Sequence, residues 1–347
     1  MRIGVFGNEG VGKSTLFRAL KEGQGETSGA SRGQEVCTIK MPDDRLYRVA
    51  AVAGSKKVIP IPITFMEIDP GETSLLPPDA LTKIRGVDVL TIVLRGFSDD
   101  FHPAPPGGLD PVKEFRRIES ELVVSDYLVV QKRIERMTKE ARRDSEWTVL
   151  NKAVAALEKE IPLRQLSLSA EEIRVIAGFR FVSQLPLLLV LNVAEEDLAA
   201  DGYPELGEMA SSRGIPLIRL SARIEEEISA LSPEDQGVFL AEMGIRSPAR
   251  ERLLRGVFDA MDFICFMTIN EEEVRAWAVR RGTVALHAAG KIHSDMEKGF
   301  IRAEVIPCEE FLRCGSMAKA KTGGKLRLEG KEYVVEDGDI VQIRFNV

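Results

Sequence analysis

Residues 7–14 read Gly-Asn-Glu-Gly-Val-Gly-Lys-Ser, a match to G-x-x-x-x-G-K-[ST]. The flanks supply what such a motif needs. Residues 3–6 (Ile-Gly-Val-Phe) are a short apolar run that reads as a buried strand, and residues 16–20 open a helix. A strand, a glycine loop and a helix in that order turn backbone N–H groups toward one point, and the helix N-terminus adds positive potential there. The expected phosphate cradle is therefore Asn8, Glu9, Gly10, Val11, Gly12, Lys13, Ser14 and Thr15. Lys13 is placed to reach β- and γ-phosphates and Ser14 to ligate Mg²⁺. A chance match in a glycine-rich turn is the plain alternative, and the agreement of strand, spacing and helix argues against it.

Composition narrows the surroundings of that site. The net charge of −7 excludes a global polycation, so any nucleic-acid contact has to come from a local patch. Nothing reads as a DNA-recognition motif. The four cysteines show no C-x-x-C spacing, which fits reduced thiols in a cytoplasmic protein better than a zinc site. A P-loop starting at residue 7 leaves no room for a signal peptide before it. The longest aliphatic run, residues 185–191, is too short to span a bilayer, so no membrane partner is expected.

Along the chain, residues 23–34 are Gly-, Ser- and Thr-rich and read as a loop. Thr38 follows in a strand-like stretch and is a candidate second Mg²⁺ contact. Residues 57–68 alternate and read as one strand, edge-like because of Pro60 and Pro62. It delivers Glu67, a candidate metal-facing acid, into a Pro-rich turn. Residues 87–94 are a continuous apolar strand. Asp110-Pro111 is a helix start, with Asp as cap and Pro at the first helical position. Apolar steps of three and four then run from Phe115 to Met137 and, after a polar break, from Trp147 to Ile161, an antiparallel helical hairpin. Residues 169–172 (Ser-Ala-Glu-Glu) are a capping box.

Two more strands, at residues 186–192 and 215–220, end in Asn192-Val193-Ala194-Glu195 and Ser221-Ala222. That is the layout of a nucleobase pocket, with Asn192, Val193, Glu195, Ser221 and Ala222 as its residues. From residue 263 onward short strands punctuated by glycines form a small β-rich domain. The fold class is thus α/β, a P-loop parallel sheet interrupted by a helical hairpin. The expected domains are 1–109 and 181–262 for the nucleotide, 110–180 for the helical insertion and 263–347 for the C-terminal part.

With these residues in hand, the whole chain resembles the YchF (Obg-like ATPase) family. The resemblance is carried by residues 7–15, Cys37-Thr38-Ile39, residues 192–195, Ser221-Ala222, residues 274–278 (Val-Arg-Ala-Trp-Ala), residues 291–305 and residues 328–347. It implies a GTPase-like sheet, an inserted α-helical arm and a C-terminal β-grasp (TGS-like) domain, with a ribosome- or RNA-facing cleft. It also implies ATP, or GTP, with Mg²⁺. Asn192-Val-Ala-Glu195 favours ATP: guanine specificity in N-K-x-D uses an Asp carboxylate and a flanking Lys, and here Glu195 is longer and the Lys is Val193. Losing a paired buried hydrogen bond removes most of such a preference.

The chain departs from the family at its second switch. D-I-A-G is replaced by Glu67-Ile-Asp-Pro70, and Pro70 has no backbone N–H to give a γ-phosphate. The family's hydrolytic histidine falls at Ile92, and its L-P-N reads Asn8-Glu9-Gly10 here, with Glu9 an anion beside the phosphates. His102, His287 and His293 read as structural or surface histidines. Three expectations stand side by side: a slow ATPase controlling ribosome or RNA docking, a nucleotide-responsive binding module without turnover, and a GTPase.

Overall fold

The computed structural model describes residues 1–21, 35–71, 74–98, 103–104, 107–200, 202–270 and 272–346. The loop expected at residues 23–34 and His102 lie outside them. The chain runs β1 (Arg2–Phe6), α1 (Lys13–Lys21), β2 (Val36–Lys40), α2 (Asp44–Ala53), β3 (Lys57–Ile59), β4 (Pro62–Ile68), α3 (Pro78–Ile84), β5 (Val89–Gly96), α4 (Pro111–Lys139), α5 (Ser145–Leu157) and α6 (Ala170–Ile176). It continues through β6 (Leu187–Val193), α7 (Pro204–Ser212), β7 (Leu217–Leu220), α8 (Ala222–Ser229), α9 (Pro233–Glu242) and α10 (Ala249–Met261). Then come β8 (Phe263–Ile269), β9 (Glu273–Arg280), α11 (Ala285–Ile292), α12 (Ser294–Lys298), β10 (Phe300–Pro307), α13 (Cys308–Cys314), α14 (Met317–Thr322), β11 (Arg327–Glu329) and β12 (Asp339–Phe345).

Two compact units result. The first comprises residues 1–38 and 64–260, the second residues 39–63 and 261–347. The first holds a sheet in the order β2-β4-β1-β5-β6-β7, in which β4, β1, β5, β6 and β7 run parallel. Its central strands are apolar on both faces because helices cover both, and every residue of β6 is buried. Phe6, Ile68, Leu90, Leu189 and Leu191 meet α4 residues Phe115, Ile118 and Leu122 in one core.

The helical arm starts where the sequence signals it. Asp110 accepts from Lys113 N at 2.8 Å ahead of Pro111. Asp144 caps α5 by accepting from Trp147 N at 3.2 Å. Both halves of the Ser169–Glu172 capping box form. α5 stops at Leu157 rather than running on to Pro162, because Glu160 takes a left-handed φ of 58°. Val130, Met137, Leu150, Ala153 and Leu157 close the arm's own core.

The second unit differs from the sequence reading in several places. Residues 57–68 are two strands in two different sheets. Pro60 has no N–H for a ladder, and the chain breaks there. β3 joins β9 in parallel register (Lys57↔Glu273), whereas β4 joins β1 (Phe65↔Ile3). Residues 39–63, expected inside the 1–109 nucleotide part, therefore belong with the C-terminal residues. They bring α2, which the sequence reading missed. It is capped by Asp43, ends at Gly54 (φ 70°) and buries Leu46, Val49 and Ala50. Within the same unit Arg45 ties Asp43 to Asp337 at 2.9 and 2.7 Å.

The second sheet has the order β11-β10-β12-β8-β9-β3. Residues 333–335 make only an isolated bridge, Val284↔Val334. α11 to α14 were not anticipated. Ala285 and Ala288 of α11 pack on Ile264, Phe266, Ala303 and Val305 of the sheet. Among the described residues no helix is long and apolar enough to cross a membrane.

Candidate functional site

The glycine loop between β1 and α1 is fixed by steric need. A Cβ on Gly7 would stand 2.5 Å from Val93 O, and Gly12 has φ 93° with a Cβ there falling 2.3 Å from Asn192 Nδ2. Gly10 also has positive φ, 71°. The loop presents Lys13 at the first position of α1, buried and donating to Gly7 O and Asn8 O, both at 3.1 Å. Burial lowers the Lys13 pKa, and Glu67 and Asp69 oppose the shift by stabilising its charge.

Glu67 sits at the end of β4 with its carboxylate 3.4 Å from Ser14 Oγ, which donates to it. Burial raises the Glu67 pKa, reinforced by Asp69 and opposed by Lys13. A hydroxyl and a carboxylate oxygen this close fit two neighbouring corners of a Mg²⁺ octahedron, whose adjacent ligands at bond lengths of 2.0–2.1 Å lie roughly 3 Å apart. Among the described residues no group of three or more His, Cys, Asp or Glu could hold a metal alone. A Mg²⁺ ion here would thus depend on phosphate oxygens as well, the usual arrangement for this ion.

Asn192 at the end of β6 braces two loops. Its Nδ2 donates to Val11 O at 2.9 Å, and its Oδ1 accepts from Ala222 N at 2.8 Å. Around these groups opens a cleft of about 670 Å³. Of the residues expected from sequence, Gly10, Gly12, Lys13, Ser14, Thr15, Asn192, Val193, Glu195, Ser221 and Ala222 line it.

Other expected residues lie elsewhere. Val11 turns its side chain into the core and contributes only its carbonyl, to Asn192. Asn8 and Glu9 face a separate cleft of about 340 Å³ with Pro70, Gly71, Ser74, Leu75 and Arg117. Thr38 is not a cleft residue. It lies on β2, with β4 between it and the P-loop strand, and its hydroxyl is 2.9 Å from that of Thr64. Ile92 is wholly buried in β5, opposite Phe6, so this position packs and does not face the cleft. Gly71 N–H, next to Pro70, is already given to Ser74 O at 3.0 Å.

The sequence reading missed Arg18, Phe97, Ser98, Arg223 and Glu226 in the cleft wall. Arg18 had a signal: it lies four residues after Ser14, one turn up the same helix face. Its guanidinium pairs with Glu226 of α8. Also missed was Glu114 in the first turn of α4, which accepts from Asn8 Nδ2 at 2.6 Å and Arg95 N at 3.3 Å. Burial raises the Glu114 pKa, and those two donors oppose the shift.

The chain is 36% identical to the "Ribosome-binding ATPase YchF" of Bacillus subtilis over 366 aligned positions, covering all of both proteins. It is 34% identical to the protein of the same name from Haemophilus influenzae, across all of this chain and 99% of that one. The chain belongs to the YchF family. Residues 263–346 match the family model YchF-GTPase_C, described as a protein of unknown function. The solved Schizosaccharomyces pombe YchF GTPase superposes with a TM-score of 0.83 at 26% identity, over 99% of this chain and 97% of that one. Family membership thus covers both units, including the residues 39–63 excursion.

Proposed function

We propose that this YchF-family chain binds ATP with Mg²⁺ in the 670 Å³ cleft and uses its nucleotide state to control docking on the ribosome. The observation that carries the reading is the pair Lys13 and Ser14 in the cleft at the end of the glycine loop, with Glu67 hydrogen-bonded to Ser14. Mg²⁺ supplies charge neutralisation at the phosphates, with Ser14 and Glu67 as its protein ligands. Lys13 leaves the Gly7 and Asn8 carbonyls and pairs with phosphate oxygens, exchanging two neutral acceptors for charged ones. Base choice falls to ATP. The Ala222 N–H, a donor a 6-oxo group would use, is engaged by Asn192, and Glu195 replaces the aspartate of a guanine reader. Ribosome docking is carried over from relatives named for it, and it goes with a cytoplasmic setting.

Phosphoryl transfer in P-loop enzymes rests on positioned donors and a positioned water. Pro70 offers no N–H, Gly71 N–H is taken by Ser74, and Ile92 is packed in the core. These three observations favour a second reading in which nucleotide binds and turnover is very slow or absent without a partner. A titration of ATP, ADP, GTP and GDP with single-turnover hydrolysis on the same sample separates the readings. Tight ATP and ADP binding, abolished by Lys13→Ala in a folded protein, is the expected result. Unchanged ATP affinity in Lys13→Ala would move the phosphate site elsewhere, and equal or tighter GTP binding would overturn the base assignment.

A further inference from the structure

Glu114 belongs to the inserted arm, one turn into α4, yet both of its carboxylate oxygens serve the nucleotide-binding loops. One accepts from the Asn8 side chain at 2.6 Å, the other from the backbone N–H of Arg95, the next-to-last residue of β5, at 3.3 Å. Each partner leads directly to the cleft. Asn8 carries one of the two carbonyls that hold Lys13. Arg95 donates from Nε to Phe97 O at 3.0 Å and lies 5.2 Å from the centroid of the Phe97 ring, and Phe97 and Ser98 form part of the cleft wall. Glu114 is not itself a cleft residue.

We infer that Glu114 is a positioning residue: it pins Asn8 and Arg95 at once, so that the first turn of the P-loop and the Phe97 wall are held in register with the root of the helical arm. The inference rests on the nucleotide reading above and adds a residue to it. A carboxylate is required because both partners are donors. A glutamine in the same place offers one acceptor and one N–H₂ group, so one of the two donors then faces another donor. The arm is thereby wired to the cleft at its base: a nucleotide that draws Lys13 away from Asn8 alters the loop that Glu114 grips.

The test measures MgADP and MgATP affinity in the full chain for Glu114→Gln, Asn8→Ala and the double variant, with thermal midpoints alongside. Each single change is expected to weaken both nucleotides about tenfold, the loss for one charge-assisted hydrogen bond. The double variant is expected to lose no more than the worse single one, because the two side chains share one interaction. Losses that multiply, or unchanged affinity in Glu114→Gln, overturn the inference and leave the cleft assignment standing. A wild-type chain that binds neither nucleotide sinks both. Should Glu114→Gln fail to fold, amide exchange in Asn8→Ala decides. Faster exchange at Phe97 and Ser98 supports the link through Glu114, and unchanged exchange there overturns it.

Discussion

Ser14 and Glu67 face each other across the end of the P-loop strand pair, hydroxyl to carboxylate at 3.4 Å, although 53 positions separate them in the chain. One comes from α1 and the other from the end of β4, and the parallel β1–β4 register (Phe6↔Ile68) brings them together. Glu67→Ala should therefore weaken ATP binding about tenfold in the presence of Mg²⁺ and leave binding in EDTA nearly unchanged, since it removes a metal ligand and not a phosphate contact. Calorimetric titration with and without Mg²⁺ checks this. An equal loss in both conditions would mean Glu67 shapes the loop instead.

Asn192→Ala should destabilise the protein by about 1–3 kcal/mol, because it leaves the buried Val11 carbonyl and Ala222 N–H without a partner. Nucleotide affinity should drop with it, since the same side chain sets the spacing between the P-loop and the Ser221-Ala222 loop. Chemical denaturation and a nucleotide titration on one preparation read both effects. Full stability in the variant would show that other contacts hold the two loops.

Turnover should not be recovered by restoring histidine at position 92. The side chain there is buried between Phe6 and the α4 core, so Ile92→His buries a polar ring without an assigned partner. The expected outcome is a loss of about 1–3 kcal/mol of stability with no gain in ATP hydrolysis. Stable Ile92→His protein with clear Mg²⁺-dependent hydrolysis would place the hydrolytic water near β5.

Thiol labelling should be ordered by burial. Burial pushes Cys265 up to about 12, and raises Cys37 and Cys308 as well. A thiol whose pKa lies well above the solution pH presents almost no thiolate. At pH 8 iodoacetamide should modify the half-exposed Cys314 first and leave the three buried thiols intact until denaturant is added. Mass spectrometry of the labelled chain gives the order. Early modification of Cys265 would mean that the β8–β12 region opens readily.

What was legible in the sequence was what local chemistry dictates. The P-loop could be read because its glycines are needed for their own backbone angles, and the arm because its caps and apolar steps sit within one turn of where they act. Two kinds of feature escaped. Thr38 could not be placed from the sequence because its strand lies at the sheet edge, which pairing alone decides. Glu114 and the bracing role of Asn192 escaped because their partners are 106 and 181 positions away. Residues 57–68 show a third limit: alternation identifies strands, but it does not say that Lys57 and Thr64 serve different sheets.

The excursion of residues 39–63 has a consequence for how the chain comes into being. During vectorial synthesis β3 emerges roughly 200 residues before β9, the strand it pairs with. Until then α2 and β3 have no sheet to join, while β2 and β4 on either side of them can already be placed. The nucleotide unit must therefore form around an unfinished loop that waits for the C-terminus. Truncation at residue 262 reproduces that waiting state permanently, exposing Leu46, Val49 and Ala50 of α2, all buried in the finished chain. A soluble nucleotide unit is better obtained by replacing residues 39–63 with a short linker at the same time as removing residues 261–347.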